Sequence, residues 1–171
     1  MSSAASLRHD DAPIVDHVAA KRIVICGSMA FAGQMREIKG QLDLLNVPAV
    51  VPDDVDGDLR QFDTRSYLSF KKAASVSHIN KVKDPRTYGV LVANFDKNGI
   101  FGYIGANSFA EISVAFSSRK KIFLFSEIPP QYADELTAWG AVALNGDLAR
   151  LVQIYEHSCR HETAQLRFPQ F

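Results

Sequence analysis

Five short apolar runs alternate with stretches of helical periodicity along most of this chain. The runs are rich in Val, Ile and Phe and are bounded by Gly, Pro or Asn, which is typical of buried parallel strands. They cover residues 21–26, 47–51, 88–95, 121–125 and 141–144. Between them, apolar residues recur every three or four positions, which predicts helices. These helices cover residues 32–45, 61–82, 107–118, 129–138 and about 147–159.

Strict alternation of strands and helices predicts an α/β fold with a parallel sheet and helices on both faces. Five strands with right-handed crossovers fit the flavodoxin-like three-layer sandwich, with strand order 2-1-3-4-5. In that order the switch point lies between the first and third strands. The loops after these two strands therefore face one crevice at the carboxyl edge, where open α/β sheets hold their ligands.

The pattern predicts a single domain over residues 21–160, with a segment on each side. Residues 1–20 are small, polar and acidic and lack the apolar core of a signal peptide, which predicts a flexible leader. Residues 161–171 end in apolar side chains, which predicts a tail that docks, for example on another subunit. We therefore expect a homo-oligomer.

Composition narrows the class of protein. Hydrophobic residues make up 47% of the chain and charged residues 22%, as in ordinary soluble globular proteins. The formal net charge is zero, so no overall field favours nucleic acid or an anionic membrane surface. Only two cysteines occur, which argues against a disulfide framework and suits a reducing compartment. We expect a cytoplasmic protein that binds a small molecule, not nucleic acid or a membrane.

The loop after the first strand is a candidate phosphate site. Gly27, Ser28 and Met29 could present backbone N–H groups and a hydroxyl at the start of the next helix, with Arg36 as the nearest fixed positive charge. The segment is neither a P-loop nor a G-x-G-x-x-G fingerprint. A plain strand-to-helix turn explains it equally well.

Two segments imitate calcium loops, and neither fits. Counted from Asp54, the sixth and twelfth positions of the acidic turn are Leu59 and Arg65, where a calcium loop needs Gly and Glu. The loop that starts at Asn94 has Gly105 at its twelfth position. The five histidines show no metal-ligand spacing. The sequence therefore predicts no metal and no other cofactor.

Two carboxylates near the predicted crevice are the catalytic candidates. Glu111 lies about a turn and a half into its helix among apolar neighbours, so a favourable interaction with the helix dipole explains it poorly. A carboxylate in such a crevice can attack the anomeric carbon of a sugar while a second one moves protons on the leaving group. Asp96, in the loop after the third strand, is placed to be that second carboxylate.

The segments 25–28 and 111–115, together with Asp96, resemble the nucleoside 2-deoxyribosyltransferase superfamily, which includes 2′-deoxynucleoside 5′-phosphate N-glycosidases. The resemblance covers roughly residues 21–125, and the string 94–111 also resembles a less characterised branch of it, for which no reaction is firmly implied. It implies Glu111 as the nucleophile that takes the deoxyribosyl group and Asp96 as its partner near the base. The substrate-binding residues it implies, with their neighbours in the two loops, are Gly27, Ser28, Met29, Asn94, Gly105, Asn107 and Ser108.

The chain departs from this pattern in two places. Ser113 stands two positions after the glutamate, where the family usually has Gly, and residues 29–33 replace the basic, glycine-marked turn of the phosphate-specific glycosidases. These departures argue against a preference for a monophosphate. Two alternatives also remain. One is a non-catalytic nucleotide or sugar-phosphate binding module; the other is an assembly role for the basic segment 65–83, which a solvated helix face also explains.

Overall fold

The structure is a computed structural model that describes residues 20–53 and 62–167, with side chains described as far as Arg160. Its centre is a five-stranded, all-parallel sheet in the order β2-β1-β3-β4-β5. The strands are β1 (Arg22–Gly27), β2 (Ala49–Val50), β3 (Thr87–Ala93), β4 (Lys121–Leu124) and β5 (Val142–Ala143). This topology confirms the predicted flavodoxin-like fold.

Within the described residues, five α-helices connect and follow the strands. They are α1 (Ala32–Leu44), α2 (Thr64–Lys83), α3 (Ala106–Ser117), α4 (Ala133–Ala138) and α5 (Leu148–Arg167), and short 3-10 turns precede α1 and α4. The prediction ended the last helix near Cys159, whereas α5 continues to Arg167, so residues 161–167 belong to this helix. The predicted leader at 1–19, the acidic positions 54–61 and the last four residues lie outside the described residues.

The sheet separates two layers of core side chains. Every residue of β3 is buried, as expected for a central strand covered on both faces. Successive strand residues point to opposite faces, so Leu91 packs towards α1 and α5, whereas Val90 packs with Ile112 of α3 and Leu136 of α4. None of the described helices has the length together with the apolar character that crossing a bilayer requires.

Helix α2 is buried over only a short part of its length. The sequence placed Tyr67, Phe70, Ala74, Ile79 and Val82 near one side of this helix. Of its residues, only His78 and Val82 are fully buried, and Tyr67 is exposed. The C-terminal half of α2 therefore makes the contact with the sheet and α3, and a histidine occupies the centre of that contact.

Candidate functional site

The loops after β1 and β3 meet at the carboxyl edge of the sheet, as the predicted strand order requires. The Lys97 ammonium donates a hydrogen bond to the Ser28 hydroxyl at 3.0 Å, which joins the two loops. The same ammonium lies 4.8 Å from the centre of the Tyr103 ring. Lys97 therefore places a positive charge in this crevice. The sequence had indicated Arg36, not Lys97, as the nearest positive charge.

A tight turn places Lys97. Asn98 and Gly99 both have positive φ, and Lys97 and Ile100 exchange backbone hydrogen bonds at 3.0 and 2.9 Å. This is the geometry of a two-residue type I′ turn, for which Asn-Gly is the preferred sequence. Asp96 accepts a hydrogen bond from the Gly102 backbone N–H at 2.9 Å, so its carboxylate helps to close the loop. The segment that imitated a calcium loop is therefore a hairpin turn.

Glu111 lies in a buried cluster of three side chains that come from three different elements. Only 8% of the residue is exposed. His78 Nδ1 of α2 donates a hydrogen bond to Glu111 Oε1 at 2.9 Å, and Cys26 at the end of β1 completes the cluster. One side-chain polar atom of each residue lies within 4.8 Å of the others. The sequence correctly singled out Glu111 as an unusual carboxylate but missed both of its partners.

Strand alternation explains why Cys26 reaches this cluster. Cys26 shares the core layer of Val24 and Ile112, on the α2–α3 side of the sheet. The next residue, Gly27, closely contacts the other layer, since an added Cβ would lie 3.1 Å from Met35 Sδ and 3.2 Å from Ala93 Cβ. Packing thus explains the glycine, and its place in a substrate pocket remains a prediction.

One ring nitrogen of the buried histidine has no hydrogen-bond partner in the part of the chain that the structure describes. His78 Nδ1 is bonded to Glu111, whereas His78 Nε2 is buried and unpaired.

Outside the cluster, Asp53 accepts hydrogen bonds from Ser77 and Lys81, so this first residue of the acidic turn anchors α2. The rest of that turn lies among residues 54–61, outside the described ranges.

The remaining candidates lie around the entrance of the crevice. Ser28 caps the 3-10 turn by accepting from the Ala30 N–H at 3.3 Å, and Met29 is exposed. Gly105 is the N-cap of α3. Asn107 is exposed and Ser108 is buried, four and three positions before Glu111, so both lie near its face of the helix.

Asn94 joins the ends of two strands. Its side-chain oxygen accepts from the Ser126 N–H, and its amide nitrogen donates to the Glu127 carbonyl, both at 2.9 Å. The residue is fully buried. Each end of the amide is thus bonded to the loop after β4, which gives Asn94 a structural role in shaping the crevice.

Replacing Asn94 with Ala is expected to destabilise the protein. The change removes two hydrogen bonds between the buried Asn94 side chain and the partly buried backbone of Ser126 and Glu127, which should cost about 1–2 kcal/mol of unfolding free energy. Urea unfolding followed by circular dichroism measures it, with the exposed turn residue Asn98, replaced by Gly, as the control. Unchanged stability together with weaker ligand binding would instead give Asn94 a direct binding role.

Cys26 is expected to make the protein sensitive to alkaline pH. Burial, and then the charge of Glu111 and a hydrogen bond with it, raise the pKa of the Cys26 thiol well above its usual value. The stability contributed by the protonated thiol is complete below the unfolded-state pKa of about 8.5 and is lost as pH rises towards the folded-state pKa.

The measurement compares free energies of unfolding between about pH 8, which is near the unfolded-state thiol pKa, and about pH 10. A chelator is present so that no metal ion binds the thiol. Wild type should lose up to about 1.4 kcal/mol per pH unit more than Cys26→Ala. Cys159→Ala, which removes the less buried thiol, should keep the wild-type slope. Equal slopes in wild type and Cys26→Ala would show that the buried thiol does not couple folding to protons.

Comparison of the chain with models of known protein families, with curated proteins and with solved structures gives no significant match.

Proposed function

We propose that the protein cleaves, or transfers at, the N-glycosidic bond of a (deoxy)nucleoside or nucleotide, with Glu111 as the nucleophile. The observation that carries this proposal is the setting of Glu111 at the switch-point side of the sheet. Its carboxylate is withdrawn from water, and one oxygen is held by His78. A carboxylate fixed in this way loses little freedom when it forms a bond to carbon, which favours covalent catalysis.

The proposed reaction is a double displacement at the sugar. Because His78 holds Oε1, Oε2 is the oxygen that attacks C1′. The C1′–N bond breaks as the C1′–O bond forms, and the base leaves with the bonding electron pair and takes up a proton. Water or a second base then attacks C1′ and releases the Glu111 carboxylate. Asp96, in the exposed loop at the crevice, is the proposed proton donor to the departing base.

Lys97 supports a substrate that carries a phosphate. Its ammonium lies beside the Ser28 hydroxyl, which caps the turn leading into α1. An ammonium together with a hydroxyl and the backbone N–H groups at a helix start is a common environment for phosphate. We therefore expect a nucleoside monophosphate to react faster than the corresponding nucleoside.

The alternative is a binding module without chemistry. The burial of Glu111 and its hydrogen bond with His78 fit this alternative as well, because an acid that only supports the fold is held in the same way. In that case nucleotides would bind in the crevice and remain intact.

A substrate panel separates the two functions. Purified protein is incubated with deoxynucleosides, ribonucleosides and their 5′-monophosphates, and free base is followed by chromatography. We expect base release from at least one purine or pyrimidine deoxynucleotide. Saturable binding with every ligand intact would overturn the enzymatic proposal and support the binding module.

We also propose a cytoplasmic homo-oligomer. Helix α2 and its N-terminal approach expose several large apolar side chains, which suit burial against a second copy. They are Phe62, Tyr67, Leu68 and Val76. Sedimentation velocity measures the state directly, and a monomer at micromolar concentration would contradict this part of the proposal.

A further inference from the structure

We propose that Cys26, His78 and Glu111 form a binding site for a single zinc ion. The three side chains offer one sulfur, one nitrogen and one oxygen donor within 4.8 Å of one another. They come from the end of β1, the C-terminal half of α2 and the middle of α3. Three protein ligands leave one position of a tetrahedral ion open for water or another small ligand.

The spacing of the donors suits zinc after small side-chain movements. Bond lengths of about 2.0–2.3 Å place the ligand atoms of a tetrahedral zinc ion roughly 3.3–3.8 Å apart. His78 Nδ1 and Glu111 Oε1 are now 2.9 Å apart, in hydrogen-bond contact. Opening this pair slightly and drawing in the Cys26 sulfur requires shifts on the order of 1 Å, which side-chain rotations supply.

The charges and the donor types select a borderline-soft divalent ion. When zinc binds, Cys26 loses its thiol proton to solvent, and the thiolate and the Glu111 carboxylate together carry two negative charges. To ligate through Nδ1, His78 takes the tautomer with its proton on Nε2 and stays neutral, so a divalent ion leaves the buried site without net charge. Sulfur and imidazole ligands favour zinc over magnesium and calcium, which prefer oxygen ligands.

The cluster is incompletely explained as a hydrogen-bond network that only supports the fold. Buried polar atoms in such networks are nearly always paired. Within the described residues His78 Nε2 has no hydrogen-bond partner. Only 5% of His78 is exposed, so water has little access to this nitrogen. Glu111 is thus the only hydrogen-bond partner of the imidazole among the described residues, and Cys26 Sγ lies close to the same pair.

Zinc binding would also have a consequence for the proposed reaction. An ion on the Glu111 carboxylate would occupy the group assigned as the nucleophile. If the proposed function is correct, the zinc-bound protein is the inactive form. The metal site itself does not depend on that function, so it is tested by binding.

The test uses the full-length protein, stripped of metal with a chelator and titrated with Co²⁺ as a spectroscopic substitute for zinc. We expect one equivalent of Co²⁺ to give a thiolate-to-metal charge-transfer band that Zn²⁺ abolishes and excess Mg²⁺ does not. Cys26→Ser should lose the band, and Cys159→Ser, which removes the chain's other thiol, should retain it. His78→Gln and Glu111→Gln should weaken binding by roughly tenfold or more, since even changes around metal ligands have effects of that size.

A second measurement needs no substitution in the buried core. Zn²⁺ should protect Cys26 of the wild-type protein from alkylation in mild urea, while Cys159 reacts as before, as shown by peptide mass spectrometry. A folded wild-type protein with no band and no protection of Cys26 would overturn the proposal. A band that persists in Cys26→Ser would also overturn it, because the metal would then lie elsewhere.

Discussion

Replacing Glu111 with Gln is expected to reduce base release by on the order of 10³-fold or more, as the loss of a catalytic nucleophile typically does. The amide has nearly the same size as the carboxylate, and its oxygen can still accept the hydrogen bond from His78 Nδ1. It cannot form the ester to C1′. The variant should therefore fold and bind nucleotide but fail to turn it over.

Two controls make this result specific. Glu37→Gln removes an exposed carboxylate from α1 and should leave base release unchanged. Thermal unfolding of Glu111→Gln shows whether the buried cluster tolerates the change. If the folded variant released base at the wild-type rate, Glu111 would not be the nucleophile.

Replacing Gly89 with Ala is expected to destabilise the fold strongly, although it adds only one methyl group. Gly89 lies in β3 opposite Lys121 of β4, and an added Cβ would lie 2.6 Å from the Lys121 backbone oxygen. Relief requires two hydrogen-bonded strands at the centre of the sheet to separate. We expect a loss of at least about 3 kcal/mol of unfolding free energy, the upper part of the range for overpacked cores.

Gly40 provides the matched control for this substitution. It lies in α1 with nothing within 4 Å of an added Cβ. Gly40→Ala should therefore stabilise the protein by about 0.5–1 kcal/mol, because Ala favours the helix. Urea unfolding of both variants measures the contrast. Similar stabilities for the two would show that β3 and β4 leave room for a side chain at Gly89.

The sheet was predictable because its signal is local. Buried runs such as 21–26 and 88–95 need only their own apolar residues and flanking turns to be identified, and strand order then follows from handedness. The end of α5 was harder. Apolar periodicity fades after Cys159, but the residues up to Arg167 contain neither Gly nor Pro, and a helix continues until such a stop signal appears.

The site was only partly predictable because its contacts are long-range. Glu111 was recognisable from its apolar neighbours, whereas His78 lies 33 residues away on a helix with little visible burial pattern. Cys26 was interpreted as a small hydrophobic residue, and its burial supports that interpretation. The sequence did not predict that its thiol also interacts with Glu111. Asn94 looked like a ligand-binding residue, yet its amide holds two strand ends together, and no sequence pattern distinguishes these roles.

The most direct measurement of the central claim is the identification of the covalent intermediate. Protein mixed with a reactive deoxynucleotide is quenched in acid within the first turnovers, digested and analysed by mass spectrometry. The proposed mechanism predicts one deoxyribosyl group, with any phosphate it carries, esterified to the peptide that contains Glu111 and absent from Glu111→Gln. Base release without this adduct, or an adduct on a different residue, would contradict the assignment of Glu111 as the nucleophile.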